Sequence, residues 1–500
     1  MVAGLGLVGD TDARTAVNGI TLDSRAVEDG WLYVALPGSR AHGASFAAAA
    51  VDAGAVAILT DDAGRDLIGP SLVPVVAALD AREAMAVVAA RLFGEPGREM
   101  TMLGVTGTNG KTTTVALLQG GLLAAGVPTG TIGTIGFRLG TEELRSSRST
   151  VTTPESPDLQ ALLAVMQQRG AQAVALEVSS HAMALDRVDA IAFDAVGFLN
   201  LGRDHLDFHA TMEDYFEAKA KLFEPGRAAV SVIWVDDDHG RELASRVAAH
   251  GQSRLITVGT GAGVDYRLSD YAPEEPLGGV ATLTRDSERL ELRLTLPGSY
   301  NMIDAAVAFA MLEAVGVPAE AALRGLETAQ VPGRMQRVTL GEGAPLVVVD
   351  FAHTPQAVEA ALESLAGHDE VICVLGCGGD RDPEKRPGMG AAAARGSDLT
   401  IITDDNPRTE DPAAIRAQAL AGAREAAAGE TLEVAGRRAA IEEAIRRAGP
   451  GSVVAILGKG HERGQILADR TVDFDDAEEA TLAWWRLEEE GERHGTTKDQ

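Results

Sequence analysis

The run Gly107-Thr108-Asn109-Gly110-Lys111-Thr112-Thr113 follows a strand pattern and opens a helix pattern. Glycines in such a loop let backbone N–H groups curl around phosphate oxygens, and the first helical turn adds partial positive charge. Lys111 is placed to reach the outer phosphates of a nucleotide, and the Thr112 hydroxyl to ligate Mg²⁺. Val105 stands where the general phosphate-loop pattern has a glycine, so Gly107 serves the turn instead. The chemistry expected is ATP binding.

A second group of reactive types follows. Glu177 ends an apolar run and precedes Val178-Ser179-Ser180-His181, while Asn200-Leu201-Gly202-Arg203-Asp204-His205-Leu206-Asp207 follows another. In an open α/β sheet, strand ends are where ligand chemistry sits. Mg²⁺ prefers oxygen, which suits Glu177. His205 suits it less, and reads either as a ligand or as a hydrogen-bonded structural group. Lys219 and Lys221 lie in the helical pattern Met212 to Phe223. They belong either to a solvated helix face or to a site where a buried lysine of lowered pKa adds carbon dioxide, giving a carbamate that a metal would hold. Spacing alone leaves both readings open.

These residues need a scaffold, and alternating strand and helix patterns along the whole chain predict an α/β protein with mainly parallel sheets. A first unit has apolar runs at Trp31 to Leu36 and Val56 to Leu59, then an Ala-rich helix from Ala81 to Phe93 that breaks at Gly94-Glu95-Pro96-Gly97. A second unit starts with the strand Met102 to Thr106, continues through Ala173 to Val178 and a helix at Asn301 to Val315, and closes at Val331-Pro332-Gly333-Arg334. A third has buried-strand runs at Leu346 to Asp350, Val371 to Leu375, Leu399 to Thr403 and Val453 to Leu457, with a helix from Pro412 to Ala428. That order predicts a doubly wound, Rossmann-like sheet. Domains are expected at 1–97, 98–331 and 332–500, with a frayed charged tail over 486–500.

At 500 residues and 45% apolar content the chain is long enough for several cores. A net charge of -29 argues against nucleic-acid binding, since phosphate-backbone affinity comes from Lys and Arg. There is no basic segment ahead of an apolar stretch at the start and no long apolar run, so neither export nor membrane insertion is expected, and a cytoplasmic protein is. Cys373 and Cys377 are too few for a disulfide framework or a four-ligand zinc site and read as small core residues.

Taken together, GTNGKTT, TTPE at Thr152 to Glu155, EVSSH, NLGRDHLDFH, GSYN at Gly298 to Asn301, PGRM, DFAHTP at Asp350 to Pro355, GCGGDRD, DNPR and GKGHE resemble the Mur ligase family over nearly the whole chain. The likeness is to its tripeptide-forming branch, and DNPR is similar to the subgroup that adds meso-2,6-diaminopimelate rather than lysine. The resemblance implies an N-terminal UDP-binding domain, a central P-loop ATPase-like domain and a C-terminal domain for the incoming amino acid. It implies an ADP-forming ligase that uses ATP and Mg²⁺. The reaction would join meso-diaminopimelate to the D-glutamate side chain of UDP-N-acetylmuramoyl-L-alanyl-D-glutamate, giving the UDP-muramoyl-tripeptide of peptidoglycan, and hence of cell wall and cell shape. A monomer acting on small molecules is expected.

By motif, the resemblance assigns Leu22 and Ser24, with Ser39 and Arg40 nearby, to the uridine, and Thr152, Thr153, Ser179 and Arg187 to the muramoyl-dipeptide. Many relatives have glutamine where this chain has Leu185, so one substrate hydrogen bond is missing or replaced. Gly107, Thr108, Asn109, Gly110, Lys111, Thr112 and Thr113 would hold the phosphates, with Asn301, Arg334, Asp350 and His353 also on the nucleotide. Thr112, Glu177, His205 and Lys219 as carbamate would serve the metal, and Lys111, Lys219 and His205 would be catalytic. Lys221 would point to another helix face.

Diaminopimelate would be held by Arg381, Asp405, Asn406, Pro407, Arg408, Gly458 and Glu462. Asp405 can accept from an ammonium, Asn406 can orient a neighbour, and Arg408 can clasp a carboxylate in its planar fork. Lysine lacks the distal carboxylate and should be rejected. Two other readings are a sister ligase, such as the D-alanyl-D-alanine-adding member or folylpolyglutamate synthase, and a P-loop phosphotransferase or switch protein. DNPR, GKGHE and DFAHTP disfavour the first, and product analysis separates the second.

Overall fold

A computed structural model of the chain describes residues 5, 7–9, 14–38, 40–144, 152–206, 208–275, 277–341 and 343–495. It divides into two compact units, 1–269 with 283–290 and 303–326, and 270–282 with 291–302 and 327–500. Ser39 of the expected uridine contacts and Asp207 of the second motif lie outside the described residues.

The first unit opens with a five-stranded sheet in the order Val8–Gly9, Val75–Ala77, Ala55–Thr60, Trp31–Ala35, Gly19–Thr21, parallel except for the first pair. The helix Ala81–Leu92 packs Met85, Val88 and Ala89 against Ile20, Leu32, Val34 and Leu59 of that sheet. Asp80 caps it by accepting from the Arg82 and Glu83 N–H groups. It stops at the predicted break, where Glu95 takes a left-handed conformation and Pro96–Glu99 makes a short 3₁₀ turn.

What positions the phosphate loop is the middle of an eleven-stranded sheet. Its strand Thr101–Thr106 lies between Ala173–Glu177 and Phe193–Phe198, parallel to both. All three are apolar and almost wholly buried, as strands covered on both faces must be. Register pairs Glu177 with Val105, and Phe198 with Thr106, so the strands end together. The chain leaves this one edge three times, into 107–110, 178–180 and 199–206. The next strand on one flank is Thr129–Gly133, and on the other Ala228–Trp234, so the phosphate loop sits where successive connections diverge.

The second unit carries a six-stranded sheet in the order Gln336–Val338, Leu346–Asp350, Ser452–Leu457, Glu370–Cys377, Leu399–Asp404, Glu430–Glu433, parallel but for its first strand. Helices Pro355–Glu363, Lys385–Gly396 and Pro412–Ala426 supply one core, and Arg437–Arg447 with the last helix supply the other. This is the doubly wound arrangement expected. Both cysteines are buried in it, and burial pushes both thiols up to about 12.

The expected frayed tail over 486–500 is corrected in part. The last helix spans Asp476–Gly495, because Ala480, Ala483, Trp484 and Leu487 recur at helical spacing and pack on the second core. No helix among the described residues is long and apolar enough to cross a membrane.

Candidate functional site

The phosphate loop is held open by specific contacts. Gly110 caps the helix Lys111–Ala124 at φ +87° and places no side chain over the first turn, where a helix carries its leading backbone N–H groups. A Cβ at Gly110 would lie 2.2 Å from Asp304 Oδ1, so glycine is needed for both space and dihedral. Lys111 Nζ donates to the Gly107 and Thr108 carbonyls, both at 2.9 Å. Asn200, at the end of the neighbouring strand's loop, accepts from Asn109 N–H at 2.9 Å and donates to the Asn109 carbonyl at 3.2 Å. Thr108 Oγ1 lies between the Gly202 backbone and the Tyr215 hydroxyl. Tyr215 is buried, which pushes its phenol up to about 12 and keeps it a neutral hydrogen-bonding partner.

Lys219 does not lie on a solvated helix face. It is 1% exposed, donates to the Gly107 carbonyl at 2.8 Å and lies over the Tyr215 ring at 4.6 Å. Burial first, and then the nearby Lys111 charge, hold its pKa well below the ordinary lysine value, with Asp204 opposing. Its helix ends at Ala220, and Lys221 begins a 3₁₀ turn, half-buried and away from this arrangement.

Glu177 is also buried, and accepts from Thr134 N–H at 2.8 Å and Thr134 Oγ1 at 3.0 Å. Thr134 Oγ1 in turn meets Thr152 Oγ1 at 3.2 Å. His205 sits at φ +54°, 3.5 Å from Asp204, with its ring 5.0 Å from His181 and 5.9 Å from Tyr215. His209, not singled out from sequence, is buried and hydrogen-bonded to Ser180 Oγ at 2.9 Å. Among the described residues no group of three or more His, Cys, Asp or Glu side chains converges as metal ligands. Thr112 and Glu177 carry oxygen donors, the ligand type Mg²⁺ prefers.

The substrate motif is tied into the same unit. Thr153 Oγ1 donates to the Glu177 carbonyl at 2.8 Å and lies 3.3 Å from Ser179 Oγ. Arg187 grips Glu155 through Nε and Nη2, at 3.0 and 2.7 Å, and donates to the Thr153 carbonyl at 3.0 Å. Arg82 reaches the other oxygen of Glu155 at 3.1 Å and the Leu185 carbonyl at 3.2 Å. Position 185, where the expected glutamine is absent, thus contributes through its backbone. Leu22 packs beside the first core, Ser24 begins a 3₁₀ turn, and Arg40 is exposed.

In the second unit, Asp350 accepts from the Met335 and Ala352 N–H groups at 2.7 and 2.8 Å, and burial raises its pKa against the pull of Arg334. Arg334 and His353 both lie against the Phe351 ring. A Cβ at Gly333 would lie 2.0 Å from His461 N, so glycine is required for this crossing of the PGRM and GKGHE turns. Asn301 is buried and donates to the Pro297 carbonyl at 2.6 Å.

The strand ends at Cys377, Asp404 and Leu457 carry the remaining expected residues on adjoining loops. Asn406 Nδ2 donates to Glu462 at 2.6 Å, and the Gly379 N–H to the Asn406 carbonyl at 2.8 Å. A left-handed conformation at Arg408 turns the chain, and its guanidinium donates to the Gly379 carbonyl at 2.7 Å. Asp405 and Pro407 are buried, and a Cβ on Gly379 would strike the Pro407 carbonyl. Burial, then Asp405, raises the Glu462 pKa, with Lys459, Asn406 and Arg408 opposing. Gly458 turns at φ +109°. Arg381 is exposed, whereas Arg386 close by is buried and spent on Glu410, Gln418 and the Gly378 carbonyl.

Comparison with known proteins adds an independent line. The Mur ligase middle domain model matches residues 105–312, the Mur ligase, glutamate ligase domain 333–460, and the Mur ligase family, catalytic domain 16–92. A UDP-N-acetylmuramoyl-L-alanyl-D-glutamate--2,6-diaminopimelate ligase of Streptomyces coelicolor is 45% identical, covering 93% of this chain and 92% of that protein. One of the same name from Corynebacterium glutamicum is 43% identical, covering 94% and 92%. A solved structure of a ligase of that name superposes with a TM-score of 0.70 at 31% identity, over 94% of this chain and 95% of that one. A MurF ligase of Thermotoga maritima in complex with ADP shares the fold, at TM-score 0.59 and 18% identity over 94% and 98%.

Proposed function

This chain belongs to the Mur ligase family, and from that premise we propose that it is the ATP-dependent ligase that extends UDP-N-acetylmuramoyl-L-alanyl-D-glutamate with meso-2,6-diaminopimelate. The observation that carries the choice of amino acid is the loop pair 405–408 and 458–462 at the ends of three parallel strands, where the charges of Arg408 and Asp405 both act on Glu462. A zwitterionic centre needs both kinds of partner.

Amide formation from a carboxylate and an amine requires activation, because carboxylate oxygen is a poor leaving group. The D-glutamate side-chain carboxylate attacks the γ-phosphorus of ATP, forming an acyl phosphate and releasing ADP. The amine of diaminopimelate then attacks the acyl carbon and displaces phosphate. Lys111 and the helix start at 111 stabilise charge on the transferring phosphoryl, where positioning and electrostatics supply most of the rate. Thr152, Thr153, Ser179 and Arg187 orient the muramoyl-dipeptide, with Arg187 set by Glu155. Arg40, Ser24, Leu22 and, by motif, Ser39 serve the uridine, and Asn301, Arg334, Asp350 and His353 serve the nucleotide.

Mg²⁺, when bound, neutralises phosphate charge. Thr112 and Glu177 are its proposed protein ligands together with His205, and Lys219 joins them as a carbamate. The buried, lowered-pKa Lys219 amine supports that last assignment, since only the neutral amine adds carbon dioxide. Arg381, Asp405, Asn406, Pro407, Arg408, Gly458 and Glu462 form the diaminopimelate site. The protein acts on these small molecules in the cytoplasm, as a monomer.

Phosphate release measured with ATP, UDP-muramoyl-dipeptide and a panel of amino acids tests the whole reading. Release should depend on both the dipeptide and meso-diaminopimelate, with a stoichiometric tripeptide product. Equal turnover without an amino acid would replace the ligase by a phosphatase or switch.

A further inference from the structure

One buried ammonium joins the two loops of the amino-acid site. Lys459 is 0% exposed, and its Nζ donates to Asn406 Oδ1 at 3.0 Å and to the Gly464 carbonyl at 2.7 Å. It lies 3.2 Å from Asp405 Oδ1 and 3.7 Å from Glu462 Oε2. Asn406 is committed by the same contacts: its Oδ1 accepts from Lys459 and the Ile466 N–H, and its Nδ2 donates to Glu462. Gln465 Nε2 fastens the Asp405 carbonyl at 2.7 Å. The Asn406 and Lys459 side chains are therefore engaged in tying the two loops together, and Arg381, Asp405, Arg408 and Glu462 supply the charges of the proposed site.

We propose that Lys459 is a positioning residue for the amino-acid site: its ammonium ties the 405–408 loop to the 458–464 loop and holds Asp405 and Glu462 side by side as carboxylates ready for a substrate ammonium. The inference rests on the ligase reading given above. Asp405 is buried and Glu462 half-buried, and the Asp405 charge acts against the Glu462 charge. The Lys459 ammonium, 3.2 Å from one carboxylate and 3.7 Å from the other, offsets that repulsion.

Asp405, Lys459, Asn406 and Arg408 act on Glu462, and burial of Glu462 is countered by Lys459 among them. Lys459 also acts on Asp476, and Arg437 lies in the field of Asp405, Glu462 and Asp476. Loss of the Lys459 charge removes one of the three influences that oppose desolvation and Asp405, so the Glu462 carboxyl moves up with only Asn406 and Arg408 holding it down. The form that binds an ammonium then exists only at higher pH.

The test is kcat/KM for meso-diaminopimelate as a function of pH, from phosphate release with ATP and UDP-muramoyl-dipeptide saturating, for wild type, Lys459→Gln and Lys459→Arg. The glutamine variant keeps a donor and loses the charge, so its acid limb should move to higher pH. On the acid side of that limb its KM for diaminopimelate should rise about tenfold for each pH unit by which the limb moves, with the KM values for ATP and dipeptide unchanged. The arginine variant keeps the charge and should keep the wild-type limb. An acid limb in Lys459→Gln at the wild-type position overturns the proposal, as does a parallel rise of all three KM values, which marks a merely structural role. Should the glutamine variant not fold, the arginine variant decides, because a folded Lys459→Arg with a displaced limb contradicts a role through charge. Failure of the ligase reading shows itself separately, as wild type releasing no phosphate in response to diaminopimelate.

Discussion

Lys219 Nζ lies 2.8 Å from the Gly107 carbonyl, joining the helix 212–220 to the phosphate loop across more than a hundred residues of chain. The same carbonyl accepts from Lys111 at 2.9 Å. Removing Lys219 therefore leaves the Gly107 carbonyl with a donor, and Lys219→Ala should fold. Its turnover should nevertheless be nearly lost, because no anionic oxygen replaces the proposed carbamate. Formate or acetate, which can supply carboxylate oxygens in the space vacated, should restore part of the phosphate release. A Lys219→Ala enzyme with near-wild-type activity, or one indifferent to added carboxylates, counts against the carbamate.

The loop itself gives a second prediction. Gly110→Ala forces a side chain into a left-handed conformation, at a cost of about 1 to 3 kcal/mol, and drives its Cβ onto Asp304 Oδ1. The turn must shift, and its N–H groups lose their aim. ATP binding by calorimetry should weaken at least as much as in Lys111→Ala, which loses the charge and two hydrogen bonds to the loop but keeps the glycine at the helix start. Both variants should melt cooperatively, and only turnover should vanish in Lys111→Ala; normal turnover there would sink the phosphate-loop assignment.

Much of this was legible from residue order. The strands at 101–106, 173–177, 346–350 and 452–457 are short apolar runs, and the helix 81–92 stops at the Gly94-Glu95-Pro96-Gly97 break, because periodicity and turn chemistry are local. Contacts made across the fold were not. The helical pattern around Lys219 does not say which face is buried, since Lys219 and Lys221 sit among apolar and charged neighbours alike. Arg82 and Arg187 meet on Glu155 from distant stretches of chain, and Lys459 meets Asp405 and Asn406 in the same way. Asp304 is invisible as a phosphate-loop neighbour until Gly110 is placed against it. The helix that continues through 486–495 was missed because its charge outweighs the apolar spacing of Trp484 and Leu487.

Beneath the amino-acid loops, Arg437 and Asp476 form a bidentate pair at 2.6 Å with both side chains 0% exposed, and Arg437 also donates to the Leu457 carbonyl at 3.1 Å. Asp476→Leu alone leaves a buried guanidinium without its counter-charge and should cost about 3 to 5 kcal/mol by urea denaturation. Arg437→Met with Asp476→Leu should cost much less, because both charges leave together. If the double variant were as unstable as the single, the pair would be supplying net stability rather than fixing the strand ends on which the loops stand.

Arg408 bears most directly on which amino acid is used. At neutral pH the distal centre of diaminopimelate carries an ammonium and a carboxylate, whereas the lysine side chain ends in an ammonium alone. In the proposed site Asp405 and Glu462 would answer the ammonium of either. Only the carboxylate calls for an arginine, and Arg408 is turned toward the Gly378-Gly379 loop by its left-handed backbone, with one donor on the Gly379 carbonyl. That bond fixes the plane of the guanidinium and leaves the rest of the fork for a carboxylate. Arg408→Ala should therefore raise the diaminopimelate KM steeply and lower kcat/KM by the equivalent of about 2 to 5 kcal/mol, the usual cost of losing one member of a buried charge pair. Lysine should remain a poor substrate, since deletion builds no new site for it. Steady-state kinetics with both amino acids checks this, and a wild-type enzyme that used lysine as well as diaminopimelate, or an unchanged KM in Arg408→Ala, would place the specificity elsewhere.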